Sequence, residues 1–363
     1  MVKVTLENVT KRFGDLVAVN SVNMEIKDKE FFFLLGPSGC GKTTTLNMIA
    51  GLEPITEGHI YFDDEPVDHI PPEKRDVAMV FQSYALYPFK NAFDNIAFPL
   101  KLRKIPKDEI KRRVKEVAEL IGGADLLPKK PYEMSGGERQ RIALARAIIR
   151  QPKVFLLDEP LSNIDAKLRV YMRAELIRLQ KRLKTTTIYV THDQMEAMTM
   201  ADRIALMNDG IMSQIGEPLQ IFEHPNDLFV SSFIGSPAMN FFDCNIKKKN
   251  RKEFLETAYF DLAISKDIAE IIKDQASSSE LVLGVRPQNI SVSKRRVKEG
   301  FETEVYAVEP LGTEIIVDIK IGDQIVKSVM PPSFSTKIGD MVWVNINKDK
   351  IHIFDKKTER CIL

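Results

Sequence analysis

The sequence has few of the features that mark an exported, membrane-spanning or nucleic-acid-binding chain. It contains only three cysteines, Cys40, Cys244 and Cys361, at spacings that fit neither a disulfide framework nor a metal-ligand cluster. The formal net charge is +1, so no overall field draws the chain to nucleic acid or to an anionic membrane surface. The longest apolar runs, such as residues 31–35 and 77–81, fall far short of the roughly 20 residues needed to span a bilayer. The opening Met-Val-Lys-Val-Thr-Leu-Glu alternates apolar and polar residues and lacks the apolar core of a signal peptide. There is no heptad run and no internal repeat that changes the fold reading. A reducing cytoplasm is the expected setting.

At 363 residues the chain is too long for one ordinary domain. Its first two thirds alternate short apolar runs with helical patterns, which predicts a parallel sheet wrapped by helices. Residues 31–35 and 154–157 read as strands buried on both faces. Ile110, Val114, Val117 and Ile121 share one helical face, as do Leu168, Met172, Leu176, Leu179 and Leu183. Asn208-Asp209-Gly210 between two apolar runs predicts a hairpin. After about Phe233, Gly235-Ser236-Pro237 marks a break, and period-two alternation (Ile315, Val317, Ile319; Val342, Val344, Ile346) predicts small antiparallel strands. The expected division is an α/β domain at 1–235 and a small all-β domain at 236–363.

Gly36-Pro37-Ser38-Gly39-Cys40-Gly41-Lys42-Thr43 matches the P-loop pattern G-x-x-x-x-G-K-[ST], between an apolar strand and a helical pattern. Its glycines let backbone N–H groups close around phosphate oxygens, and the helix start adds a positive end. Lys42 is placed to neutralise the β/γ-phosphates, Thr43 to offer a hydroxyl to Mg²⁺, and Thr44 to hold the α-phosphate. Cys40 reads either as a modifiable thiol in the loop or as a small space-filler. Asp158 and Glu159 close a second buried strand, where a carboxylate pair is costly unless a cation or a reacting water uses it. Asp158 fits the outer Mg²⁺ ligand, and Glu159 fits the base that polarises the attacking water.

Met134-Ser135-Gly136-Gly137-Glu138 resembles the signature of the ATP-binding cassette family, and that family's other motifs follow in order over residues 1–233. Phe13 matches the aromatic that stacks on adenine. Gln82 matches the Q-loop glutamine, placed toward Mg²⁺ and the reacting phosphate. Ser162-Asn163-Ile164-Asp165 matches the D-loop, and Thr191-His192-Asp193 the switch histidine. The resemblance implies an ATP-hydrolysing subunit that works as a head-to-tail homodimer. Lys42, Asp158, Glu159 and His192 of one copy would face Ser135, Gly136, Gly137 and Glu138 of the other, with Asp165 at the seam. Each residue also has a plainer reading. Ser135 and Glu138 form an S-x-x-E capping box, and Phe13 alone would be a core aromatic. Glu138 stands where the family more often has Gln, which partly cancels the positive helix end.

The segments Gln214 to Pro218, Phe233 to Asn240 and Gly284 to Ile290 resemble the maltose-type importer ATPases, whose C-terminal region is an OB-like, transport-associated domain. That resemblance implies a peripheral subunit at the cytoplasmic membrane face of a prokaryote. It implies docking to transmembrane permease subunits through the apolar stretch after Gln82 (Tyr84, Leu86, Tyr87, Phe89), and indirect partnership with an extracytoplasmic solute-binding protein. A carbohydrate is the favoured solute over a polyamine, iron or an oxyanion. A non-transport cassette would bring paired cassettes, coiled-coil insertions or basic arms. A purely regulatory module would have lost part of the Lys42, Asp158, Glu159 and His192 set.

Overall fold

The computed structural model describes residues 2–162, 164–250 and 252–363. They form two compact units, Met1–Leu219 and Gln220–Leu363.

The first unit opens with β1 (Val4–Phe13), β2 (Leu16–Ile26) and β3 (Phe31–Leu35), then α1 (Lys42–Ala50), β4 (Glu57–Phe62), β5 (Glu65–Pro66) and β6 (Val77–Val80). Three helices follow: α2 (Ala92–Leu102), α3 (Lys107–Leu120) and α4 (Gly136–Ile148). Next come β7 (Val154–Asp158), α5 (Ala166–Leu183), β8 (Thr186–Thr191), α6 (Gln194–Met200), β9 (Arg203–Asn208) and β10 (Ile211–Gly216). The central sheet runs β10-β9-β3-β8-β7-β6 and is parallel except at β10, while β2-β1-β4-β5 forms a separate antiparallel sheet. Every residue of β3 and β7 is buried, as expected for strands covered on both faces.

Alternation along β3 divides the core. Phe32 and Leu34 join one cluster with Leu46 and Ile49 of α1, Leu156, and Val4 and Leu6 of the antiparallel sheet. Phe31 and Phe33 point the other way, where Phe33 stacks on Tyr189 with ring centroids 4.4 Å apart. Each such large apolar side chain contributes about 1.5–3 kcal/mol through burial. The hairpin at residues 208–211 forms as the turn residues dictate, with Asp209 and Gly210 both at positive φ.

Strand order places the site. β8 lies between β3 and β7, and β6 lies beside β7. The residues just past the C-terminal ends of these four parallel strands therefore converge on one edge of the sheet.

The second unit contains two short helices, α7 (Pro218–Glu223) leading into it and α8 (Leu228–Phe233). It continues with β11 (Asn240–Lys249), β12 (Lys252–Thr257), β13 (Asp261–Ile264), α9 (Lys266–Gln275), β14 (Leu281–Val285) and β15 (Ile290–Ser293). β16 (Phe301–Pro310), β17 (Ile315–Ile321), β18 (Gln324–Met330), β19 (Met341–Ile346) and β20 (Ile351–Asp355) complete it. They build two five-stranded antiparallel sheets, β13-β12-β11-β14-β20 and β15-β19-β16-β17-β18. The expected all-β texture holds for the sheets, but α9 is an added amphipathic helix, capped by Ser265 and burying Ala269 and Ile272.

The compact units part ahead of the break read at Gly235. The physical reason is Arg286, which is buried and donates to the carbonyls of Phe222 and Ile234 while stacking on the Phe222 ring at 3.8 Å. With Leu228 packed near Met239 and Phe354, this binds residues 220–235 into the second unit.

Candidate functional site

Residues 36–44 wrap the start of α1. Gly41 sits at φ +103°, and a Cβ there would lie 2.5 Å from the Ala18 carbonyl, so only glycine lets the chain turn at this point. α1 has no side-chain cap, unlike α2, α4, α5 and α6, which leaves its first N–H groups to an acceptor from outside the helix. Lys42 is only 5% exposed, and its ammonium donates to the carbonyls of Gly36 (2.9 Å) and Pro37 (2.6 Å). Among the described residues no carboxylate lies within ion-pair range of it. A buried cation without an anion, beside uncapped helix N–H groups, fits a phosphate chain.

Ser38 and Gly39 are exposed on the loop, and Pro37 and Thr44 are half-buried. Cys40 is buried, and burial pushes its thiol above the usual cysteine value, although Lys42 pulls it down. The space-filling reading of Cys40 is therefore the one the environment favours.

The Thr43 hydroxyl donates to Asp158 Oδ1 at 3.0 Å, joining the two motifs across the β3–β8–β7 edge. Burial holds the Asp158 carboxyl above its ordinary value, and the Thr43 hydrogen bond opposes this. With the Gln82 side-chain amide near Glu159, the edge presents hard oxygen donors of the type that Mg²⁺ takes.

Glu159 adopts φ +43°, a left-handed conformation uncommon for a non-glycine residue, with its N–H donating to the Val190 carbonyl. That turn aims its carboxylate out from the strand end. Gln82 Nε2 donates to one oxygen at 3.2 Å, and His192 Nδ1 lies 3.0 Å from the other. Lys42, Thr43, Asp158, Glu159, Gln82 and His192 thus lie around one edge, as their motifs require.

The other sequence-read residues stand apart. Ser135 and Glu138 form the capping box of α4. The Ser135 N–H donates to Glu138 Oε2 at 2.7 Å, and Glu138 N–H donates to Ser135 Oγ at 3.3 Å. Lys129 pairs with Glu138 at 3.0 Å, and the Ser135 N–H, then Lys129, pull the Glu138 carboxyl down to about 2. Gly137 packs on α5, where an added Cβ would meet Leu168 Cδ2 at 2.4 Å. Among the described residues, the hydrogen bonds of Ser135 and Glu138 stay within residues 129–139, and none reaches residues 36–44, 158–159 or 192. Asp165 caps α5 by accepting from Leu168 N–H at 3.0 Å. Asn163 of the D-loop string lies outside the described residues. Phe13 is 47% exposed, with the Lys11 ammonium 4.8 Å from its ring centroid, so it is not a core aromatic.

The apolar stretch after Gln82 is not uniformly outward. Tyr84 is buried, correcting its expected place in an exposed patch, whereas Tyr87 and Phe89 are exposed. Arg146 holds the turn by donating to the carbonyls of Tyr84 and Ala85. The sequence reading missed Arg169 and Glu196. Glu196 is buried behind His192, accepting from Tyr189 Oη at 2.9 Å and Thr191 Oγ1 at 2.8 Å. Its one signal is its place three residues after the N-cap Asp193, among the apolar Ala197 and Met200.

Residues 19–162 match the ABC transporter family model, 235–290 the MalK OB fold domain, and 283–354 the TOBE domain. The trehalose/maltose import ATP-binding protein MalK of Thermococcus litoralis is 50% identical over 100% of both chains. The chain belongs to the ABC transporter family. The oligosaccharides import ATP-binding protein MsmX of Bacillus subtilis is 45% identical over 99% of each chain. An sn-glycerol-3-phosphate import ATP-binding protein of Psychromonas ingrahamii is 42% identical over 100% of this cassette chain and 96% of its own. An ATP-binding cassette solved as a dimer in a post-hydrolysis state with ADP and Pi is 32% identical. It aligns with a TM-score of 0.54, covering 59% of this chain and 98% of its own. As a member of this family, the cassette chain is an ATP-binding ATPase built from a P-loop domain and a C-terminal OB/TOBE region.

Proposed function

We propose that this chain powers a sugar or oligosaccharide importer, hydrolysing ATP at the cytoplasmic membrane face as a head-to-tail homodimer. The observation that carries the catalytic part is the Glu159 carboxylate, held between Gln82 and His192 at the same sheet edge as the P-loop Lys42. Lys42 and the α1 N–H groups bind the phosphate chain, and Phe13 offers an exposed ring for the base. Thr43, Asp158 and Gln82 would hold Mg²⁺, which neutralises phosphate charge and orients the substrate. Glu159 accepts the proton of the attacking water, and His192 positions that carboxylate and the γ-phosphate. Ser135, Gly136, Gly137 and Glu138 serve the nucleotide of the second copy, a reading supported by their hydrogen bonds, which among the described residues reach none of their own chain's phosphate-site residues. Asp165 lies at the shared seam.

The solute class follows the names of the relatives, which include trehalose/maltose, oligosaccharide and xylose/arabinose import proteins. A cavity of about 340 Å³ with an apolar side of Met79, Tyr87, Phe98 and Leu102 and a charged rim that includes Glu73 and Arg103, close in sequence to exposed Phe89, supports docking of a permease segment. The permease would in turn receive solute from an extracytoplasmic binding protein. The test is ATP hydrolysis and solution mass of the wild type beside Glu159→Gln. Turnover lost in the variant, with an ATP-stabilised dimer, is the expected result. Normal turnover, or a monomer under ATP, overturns the proposal. Unchanged uptake of labelled maltose, trehalose and maltotriose by cells lacking the chain would overturn the solute class alone.

A further inference from the structure

Behind the pair of His192 and Glu159 lies a set of polar contacts that hydrolysis, as described above, does not use. Asp165 caps α5, and one turn later Arg169 reaches back along the helix start. Its Nη2 donates to the Ile164 carbonyl at 3.2 Å, and its Nη1 lies 3.6 Å from Asp193 Oδ2. Asp193 is the residue after His192. Its Oδ1 accepts from Met195 N–H (2.8 Å) and Glu196 N–H (3.3 Å), and its own N–H donates to Thr191 Oγ1 at 3.0 Å. Thr191 Oγ1 in turn donates to buried Glu196 at 2.8 Å. The residues on both sides of His192 are therefore fixed, one by Glu196 and the other by α6 and Arg169.

The Arg169 contacts are poorly explained by stability alone. Its Nε is buried and has no hydrogen-bond partner among the described residues, a cost that native structures rarely carry without reason. The ion pair with Asp193 is partly exposed, a setting in which such pairs stabilise little. What the guanidinium does provide is geometry. Its planar fork spans two acceptors on two different elements, which a lysine ammonium at one point cannot do. Burial raises the Glu196 carboxyl, and the hydrogen bonds from Thr191 and Tyr189 are the main forces that oppose that rise.

We infer that Arg169 is a positioning residue that couples the segment entering α5 to the switch histidine, by bridging the Ile164 carbonyl and Asp193. A shift of residues 164–165 is then passed to residues 191–193 and changes where the His192 imidazole meets Glu159. This rests on the reading of His192 and Glu159 as working parts of the ATPase site.

The experiment measures kcat, KM for ATP and the melting midpoint in Arg169→Ala, Arg169→Lys, Asp193→Asn and the Arg169→Ala/Asp193→Asn double variant, beside His192→Ala. Asp193→Asn retains the oxygen that caps α6 and removes the charge facing Arg169. Arg169→Ala and Asp193→Asn should each lower kcat by roughly ten- to a hundredfold, since small misplacements of catalytic groups cost that much. KM should stay within about twofold, because ground-state binding is untouched. The double variant should lose no more than the worse single one, as expected when two residues serve one contact. Arg169→Lys should recover only part of the rate.

Wild-type kcat in Asp193→Asn, or losses that multiply in the double variant, overturns the inference. Should Arg169→Ala melt far below the wild type, Asp193→Asn decides alone. Wild-type turnover in His192→Ala overturns the underlying reading of the site. Inactive His192→Ala beside fully active Arg169→Ala and Asp193→Asn overturns only the coupling.

Discussion

His192 Nδ1 lies 3.0 Å from Glu159 Oε1, although 33 residues separate them, because β7 and β8 are neighbours in the sheet and both end at the same edge. Glu159 enters that contact from a left-handed backbone, and its second oxygen receives Gln82. The imidazole therefore helps to aim a carboxylate whose other oxygen is held by Gln82. Replacing His192 by Ala should lower kcat by about a hundredfold or more while ATP binding persists, in line with loss of a group that orients a general base. Equilibrium nucleotide binding measured beside turnover checks this, and parallel loss of both would point to a collapsed site.

The carboxylate at Glu138 has a structural task as well as a charge. It receives the Ser135 N–H and pairs with Lys129, and these contacts hold its pKa down to about 2. A depressed carboxyl stabilises the fold above the unfolded value near 4.3, and that contribution fades as pH falls toward 2. Near neutral pH its negative charge opposes the positive start of α4, which Lys129 relieves in part. Glu138→Gln keeps an acceptor for Ser135 and removes the charge. In a Glu159→Gln background at low salt, it should strengthen ATP-dependent dimerisation by a few tenths to 1 kcal/mol. Sedimentation that shows no change in the monomer–dimer midpoint would remove the electrostatic role.

The parts of the site that could be read from sequence are those whose chemistry is carried by contiguous residues. The P-loop needs glycine at Gly41 because of a backbone close approach, and Asp158-Glu159 announce themselves as charges at the end of a fully buried strand. Their meeting through Thr43 spans 115 residues, yet it follows once both strands are placed in one parallel sheet. Arg169 and Arg286 were not legible. Arg286 works on backbone carbonyls, which every residue possesses, and Arg169 joins one such carbonyl to Asp193, a carboxylate 24 positions away that no local pattern ties to it. α9 was overlooked for a different reason. Ser265 caps it and Ile268, Ala269 and Ile272 give helical spacing, but strand alternation on both sides dominates the window.

Phe89 is 91% exposed and makes the most prominent apolar side chain of the turn after Gln82, whereas Tyr87 is tied down by Asn95 through both backbone groups. Phe89→Asp should therefore leave the fold and basal ATPase within about twofold of wild type, as surface changes usually do. Stimulation of hydrolysis by the reconstituted membrane subunits should be lost, because an apolar anchor at an interface is replaced by a charge. Retained stimulation would move the docking site elsewhere, and loss of basal activity would indicate damage to Gln82 itself.

In the second unit, burial and then the charge of Arg286 hold the His352 pKa down to about 4, with His224 and Lys350 adding repulsion and a bond involving Leu363 opposing it. The unfolded chain binds this proton near pH 6.5, whereas the folded chain refuses it until about pH 4. Stability contributed by the neutral imidazole is therefore complete above pH 6.5 and declines as pH falls toward 4, by at most about 3 kcal/mol. His352→Gln keeps a polar side chain of similar length and removes the titration. Melting midpoints of wild type and variant should converge between pH 7 and about 4.5, the variant showing the flatter slope. The carboxyl of nearby Asp355 is held well below the usual range by Ser277 and Thr358, so it does not titrate in this window. Parallel slopes in the two proteins would show that the unfolding transition does not sense His352, and the acid sensitivity would then have to come from other groups.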